Sequence, residues 1–167
     1  DKIYLTGNPV REDVVMTEGK KEAALNFFQL DSNKPVLLVT GGSLGALTIN
    51  RSVNAHLEYF VTKGIQIIWQ TGVAYYEKAL EAASSFEGKG VYVARFIDRM
   101  DYAYAAADLV VSRAGAIAVS EICTVGKPAV FIPSPNVAED HQTKNAMALV
   151  NHQAALMIKD ADAVEKL

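Results

Sequence analysis

Two short stretches hold most of the residues able to do chemistry. The first, "TGGSLGA" at residues 40–46, sets Gly41, Gly42 and Gly45 around Ser43 directly after an apolar run. Glycines permit a tight turn and close approach of a ligand to the backbone. At a strand-to-helix junction the free amides and the helix dipole then attract an anion. Ser43 adds a hydroxyl donor for a phosphate. The plainer reading is a glycine-rich turn kept for packing alone. No Gly-Lys-Ser/Thr follows, so this is not a P-loop. A dinucleotide-binding turn wants a carboxylate about 20 residues later, at the end of the next strand, to hold a ribose. That strand ends "WQTG", which disfavours a nicotinamide-dependent dehydrogenase.

The second stretch, "SRAGAIAVSE" at 112–121, reads as a buried strand running into a helix. Gly115, bracketed by Ala114 and Ala116, keeps the helix start small, so a ligand can come close to the backbone. Glu121 follows about one and a half turns on, near enough to the positive helix end for its charge to be tolerated. A carboxylate accepts two hydrogen bonds readily, which suits the paired hydroxyls of a ribose. An exposed helix-surface glutamate fits the spacing equally well. Arg113 either touches phosphate or points to solvent, and the second reading is favoured.

Both stretches need strands to carry them. "PVLLVT" (35–40), "IQIIWQT" (65–71), "GVYVA" (90–94), "DLVVS" (108–112), "PAVFIP" (128–133) and "AALMI" (154–158) are β-rich, and several run apolar without alternation. Parallel strands covered on both faces read that way. Helical patterns lie between them at about 47–61, 74–84, 100–107, 116–125 and 140–151, with another at 19–29 after a linker-like loop. Regular β/α alternation predicts an α/β fold, an open, doubly wound, mostly parallel six-stranded sheet of Rossmann-like type. Ligands of such sheets bind at the carboxyl ends of the strands. The segments 41–46, 70–72, 95–100, 112–116 and 133–146 all follow strands, so one rim gathers the glycine and polar residues.

Composition excludes several other classes. Sixteen Lys and Arg against nineteen Asp and Glu give a net charge of −3, without a basic cluster, so no nucleic-acid partner is expected. No apolar run approaches the about 20 residues of a membrane-spanning helix, and the opening "DKIYLTGNPVRED" does not read as a signal peptide. Cys123 is the single cysteine, which excludes an internal disulfide and fits a reducing compartment. The 167 residues suit one domain with a proper core. Both ends read as cut: "KIYL" opens as a strand with nothing before it, and "DADAVEKL" stops as a helix begins. An excised domain is expected.

"TGNPVR", "VTGGSLGA", "FIDRM…YAAADLVVSRAGA…SE" and "HQTKNA", in that order, resemble the MurG family of bacterial N-acetylglucosaminyltransferases. The likeness covers nearly the whole chain. It implies the C-terminal, donor-binding half of a two-domain GT-B enzyme, which transfers N-acetylglucosamine from its UDP donor to lipid I, giving lipid II for peptidoglycan. Residues 1–18 then form the inter-domain linker and the end of an absent N-terminal domain. Residues 19–167 form the UDP-sugar-binding domain, truncated at its C-terminal end. The resemblance implies no cofactor and no metal. It places the general base and the lipid I acceptor on the absent domain, and the intact enzyme on the cytoplasmic face of the inner membrane as a peripheral protein.

Donor-binding roles follow from the same resemblance. Arg11 of "NPVR" matches an arginine that approaches the diphosphate from the linker, and Ser43 a serine facing the phosphates. Ile97 of "FID" matches a position whose main chain reads the uracil edge. Ala116, with Gly115, matches the helix start beside diphosphate and sugar, and Glu121 the acid that holds the ribose hydroxyls. Gln142 and Asn145 match a polar pair near the sugar hydroxyls. Leu44 replaces a common glutamine of "GGSQGA", and His141 stands where another glutamine is frequent.

The remaining features read as structural. Asp160-Ala161-Asp162, past the last strand and far from the glycine loops, is taken as the polar start of a final helix rather than a metal site. His56, His141 and His152 lack ligand spacing, with His152 near a helix end. Cys123 is expected in the packed core, and Tyr75, Tyr76, Tyr102 and Tyr104 are assigned to packing on two amphipathic helices. Two alternatives stay open: another GT-B UDP-sugar enzyme, such as a glycolipid synthase or UDP-sugar 2-epimerase, or a single-domain UDP-N-acetylglucosamine-binding subunit of a two-chain transferase.

Overall fold

The computed structural model describes residues 2, 4 and 7–167. The strand expected at residues 2–5 therefore falls partly outside the described residues. Six strands form one all-parallel sheet, in the order β3-β2-β1-β4-β5-β6. They are β1 (Val36–Thr40), β2 (Gln66–Gln70), β3 (Val91–Ala94), β4 (Leu109–Ser112), β5 (Ala129–Phe131) and β6 (Leu156–Met157). This is the doubly wound order, whose direction of winding reverses between β1 and β4, and a crevice opens at that switch point.

Helices α3 (Leu47–Thr62), α4 (Tyr76–Ser84) and α8 (Ala163–Lys166) cover one face. The other is covered by α1 (Glu12–Val15), α2 (Lys21–Phe28), α5 (Met100–Ala106), α6 (Ala116–Thr124) and α7 (His141–Val150). Alternate residues of β1 feed the two cores: Val36 and Leu38 join one, Leu37 and Val39 the other. All five residues of β1 and of β2 are buried, which is why their sequences show no polar alternation. Helix α1 lies in the segment expected to be only linker, with Val14 buried in the core.

The register lines up the carboxyl ends. Thr40 pairs with Gln70 on one side and with Ser112 on the other, Gln70 with Ala94, and Ser112 with Phe131. The loops that follow these residues are thereby delivered to a common rim. Buried side chains brace it. Trp69 Nε1 donates to Asn50 Oδ1 of α3 at 2.9 Å, and Asn50 Nδ2 donates to the Thr71 carbonyl at 2.8 Å. On the opposite face Asp101, at the start of α5, pairs with Arg99 and with Lys20, each at 2.9 Å.

Candidate functional site: a cleft at the switch point

A cleft of about 920 Å³ opens at the carboxyl ends of β1 and β4. Its walls come from the 41–46 turn, the start of α6 with Glu121, the 134–136 loop and Arg11. The glycines of the turn are there for geometry. Gly45 has φ +77°, and a side chain on it would run into the Thr71 carbonyl; a Cβ on Gly41 would strike Ala46. The loop is therefore held against β2 by contacts only glycine allows. Gly42 also has positive φ, at +85°. Gly115 differs. It sits at φ −66° with nothing within 4 Å of a would-be Cβ, so the fold itself does not require glycine there.

Two helices start at this cleft without side-chain caps. Ala46 precedes α3 and Gly115 precedes α6; neither helix has a capping hydrogen bond or an acidic residue in its first turn. Their first amides, at the positive dipole ends, are left without helical partners; at α3 the one carboxylate close by among the described residues is that of Asp160, which accepts from Thr48 in the first turn, and the first turn of α6 holds none. For the 16-residue α3 the whole helix backs that charge.

Glu121 is 9% exposed. Tyr104, 1% exposed on α5, donates its hydroxyl to Glu121 Oε2 at 3.1 Å. That is the carboxylate's one hydrogen bond among the described residues, so most of its accepting capacity is unused and both residues line the cleft. Burial, and then the neighbouring carboxylate, push the Tyr104 phenol well above its ordinary pKa, so it stays a donor. The exposed-glutamate alternative does not describe this side chain.

The other predicted residues fall into two groups. Arg11, Gly41, Gly42, Ser43, Gly45, Gly115 and Gln142 line the cleft with Glu121. Ser43 and Arg11 are exposed, and Leu44 at the tip of the turn is 89% exposed. Ile97, Ala116 and Asn145 are near the cleft without lining it. Ile97 is buried and its N–H already donates to Gln70 Oε1 at 2.9 Å, so only its carbonyl is left to meet a base. Ala116 is the first, exposed residue of α6, and Asn8 reaches over that helix to Ser120 Oγ at 3.0 Å. Gln142 Oε1 accepts from the Ser134 amide at 2.9 Å, and Asn145 Nδ2 donates to the Ala114 carbonyl at 3.0 Å. Both amides thus pin the loops on either side of the cleft to α7.

Three expectations are corrected and a fourth is extended. Arg113 does not point to solvent: its Nη1 donates to the Ile132 and Pro133 carbonyls and pairs with Asp160. Asp160 does open the final helical segment, but it is not remote from the glycine loop. It lines the same cleft and accepts from Thr48 Oγ1 of α3 at 2.9 Å. Cys123 is exposed rather than packed in the core. Tyr104 packs as expected but also carries the hydrogen bond to Glu121.

Gln70, placed on the rim by sequence, was given no role there. It is 4% exposed, and its Nε2 reaches Thr40 Oγ1 and the Gly42 carbonyl while its Oε1 holds Ile97, joining the glycine turn to the 95–100 loop. A polar residue closing an otherwise apolar strand was the available signal. Among the described residues no group of three His, Cys, Asp or Glu side chains gathers as metal ligands would. Nor is any described helix long and apolar enough to cross a membrane.

Comparison with known proteins decides the family. The profile of the glycosyltransferase family 28 C-terminal domain matches residues 36–167. The chain belongs to this family. The family 28 domain is 57% identical over 167 residues to a protein of Parabacteroides distasonis, covering all of this chain and 45% of that protein. It is 50% identical to one of Bacteroides fragilis, again over the whole chain and 44% of the relative. Both relatives are named UDP-N-acetylglucosamine–N-acetylmuramyl-(pentapeptide) pyrophosphoryl-undecaprenol N-acetylglucosamine transferase. The crystal structure of Acinetobacter baumannii MurG superposes with TM-score 0.66 at 33% identity, over 78% of this chain and 40% of that one. A glycosyltransferase from Rickettsia africae shares the fold, with TM-score 0.66 at 11% identity over 92% of this chain and 41% of its own. The family 28 domain spans less than half the length of the curated relatives it matches.

Proposed function

We propose that the family 28 domain binds UDP-N-acetylglucosamine, and that in the intact enzyme it presents this donor to lipid I for transfer of N-acetylglucosamine. The observation that carries the reading is the pairing of two uncapped helix starts with a buried, under-partnered carboxylate in one cleft. The first suits a diphosphate, the second a ribose diol, and a nucleoside diphosphate sugar contains both. The names of the relatives supply the sugar and the acceptor.

The chain's own residues then share the work. Amides at the starts of α3 and α6, with Ser43 and Arg11, hold the diphosphate. Glu121, steadied by Tyr104, accepts from the ribose hydroxyls, and the Ile97 carbonyl meets the base. Gln142 and Asn145 fix the loops beside the sugar. As the acceptor hydroxyl attacks the anomeric carbon, the bond to the diphosphate breaks and negative charge grows on UDP. Helix dipoles already aimed at that position stabilise it without reorganisation. The group that takes the acceptor's proton belongs to the N-terminal half.

Residues 1–18 serve as linker in this reading and residues 19–167 as the donor domain. Packing of Val14 and Asn8 against the domain supports a linker that is docked rather than loose. The intact enzyme works as a peripheral protein at the cytoplasmic membrane face, where its lipid acceptor lies. Calorimetric titration with UDP-N-acetylglucosamine, UDP-glucose and ADP tests the proposal. Binding in the order given supports it, and equal affinity for ADP and UDP-N-acetylglucosamine would overturn it.

A further inference from the structure

Arg113 and Asp160 form the most enclosed ion pair among the described residues, with side chains 14% and 18% exposed. Four elements meet there. Arg113 follows β4, the Ile132 and Pro133 carbonyls follow β5, Thr48 lies in the first turn of α3, and Asp160 follows β6. All the arginine's hydrogen bonds leave from Nη1; Nε and Nη2 donate to nothing among the described residues. A guanidinium carries five N–H donors, so three remain available, two of them along the Nε–Nη2 edge. Arg113 and Asp160 both line the cleft.

We propose that Asp160 is a positioning residue that locks the Arg113 guanidinium by its Nη1 corner, so that its free edge serves the diphosphate of the nucleotide. The inference rests on the nucleotide-sugar reading of the cleft. Asp160 also braces the glycine turn from behind, because its second oxygen holds Thr48 one residue into α3. The carboxylate thus sets the spacing between a fixed cation and the amides at the α3 start. A planar guanidinium fixed in this way loses little freedom when an anion arrives.

Simple electrostatics makes the opposite prediction. Asp160 is a negative charge on the wall of an anion site, so neutralising it should tighten binding of UDP. Positioning requires the reverse. Titration calorimetry with UDP and with uridine, on the wild-type chain and on Asp160→Asn, Arg113→Gln, the double variant and Thr48→Val, separates the two. Asp160→Asn is expected to weaken UDP about tenfold, the scale of one charge-assisted hydrogen bond. Uridine, which lacks phosphates, should be unaffected. The double variant should bind UDP no worse than Arg113→Gln alone, since Asp160 acts through the arginine. Thr48→Val keeps every charge and should weaken UDP less, in the same direction.

Unchanged or tighter UDP binding by Asp160→Asn would overturn the proposal, and so would equal losses for UDP and uridine. Failure of the wild-type chain to bind UDP at all would instead refute the nucleotide reading beneath it. If Asp160→Asn does not fold, Thr48→Val decides: equal losses of UDP and uridine, or none of UDP, count against positioning.

Discussion

Replacing Glu121 separates its two jobs, and the structure sets the scale of each. Glu121→Ala removes the acceptor of the Tyr104 hydroxyl, a group 1% exposed with no other partner among the described residues. Leaving such a donor unsatisfied costs about 1–3 kcal/mol, so the variant should melt well below wild type. Glu121→Gln keeps an amide oxygen for Tyr104 and should melt near wild type. Tyr104→Phe combined with Glu121→Ala should recover part of the loss, because the orphaned hydroxyl is gone. Binding follows a different order. Two ribose hydroxyls donating to a carboxylate make charge-assisted bonds of about 1.5–3 kcal/mol each, and water replaces part of that in the variant. Glu121→Ala should therefore lose about 2 kcal/mol of UDP affinity, near thirtyfold, with Glu121→Gln between it and wild type. Calorimetry with UDP and 2′-deoxy-UDP tests the assignment. Wild type should lose affinity for the deoxy ligand and Glu121→Gln much less. Equal losses in both proteins would mean that the ribose is read elsewhere.

Glycine positions offer a second contrast. Gly45→Ala should destabilise the chain by at least about 1 kcal/mol from its positive φ alone, before the clash with Thr71, as a denaturant midpoint will show. Gly115→Ala should leave the midpoint within about 0.5 kcal/mol yet weaken UDP binding, because the added methyl occupies cleft space rather than protein space. Acid should expose Asp101: hydrogen bonds from Arg99, which outweigh burial, and then Lys20 hold its carboxyl below the ordinary 3.8. Its contribution is present above that value and lost as pH falls below it, so Asp101→Asn should flatten the acid limb of a melting-temperature profile; an unchanged limb would contradict this. The chain alone should transfer no N-acetylglucosamine to lipid I with or without divalent metal, and turnover by a pure preparation would overturn the two-domain mechanism.

The sheet could be read from sequence because its strands are buried on both faces, which leaves apolar runs such as "VLLVT" with no competing pattern. The cleft could be read because glycine at 41 and 45 is dictated by backbone contacts, and glycine-rich punctuation survives in sequence. Arg113 was misread for a physical reason. Its carboxylate partner lies 47 residues away and arrives only when β6 docks beside β5. No local spacing encodes that meeting. Cys123 was misplaced because α6 offers apolar residues on nearly every side, so the helical period does not select a buried face; Glu121 and Ile122 take the interior. The role of Tyr104 was hidden in the same way, since a core tyrosine and a tyrosine holding a carboxylate have the same spacing. Helix α1 is four residues long, too short to carry a periodic signal.

The central claim is that UDP sits in the cleft between the starts of α3 and α6. Amide-resolved NMR of the labelled chain, titrated with UDP to millimolar concentration, tests it most directly. The amides of residues 42–48 and 115–118 should shift together along one saturating curve, with those around Phe60 and Leu156, which line a separate apolar groove, unmoved. No shift at saturation, or shifts confined to that groove, would contradict the account.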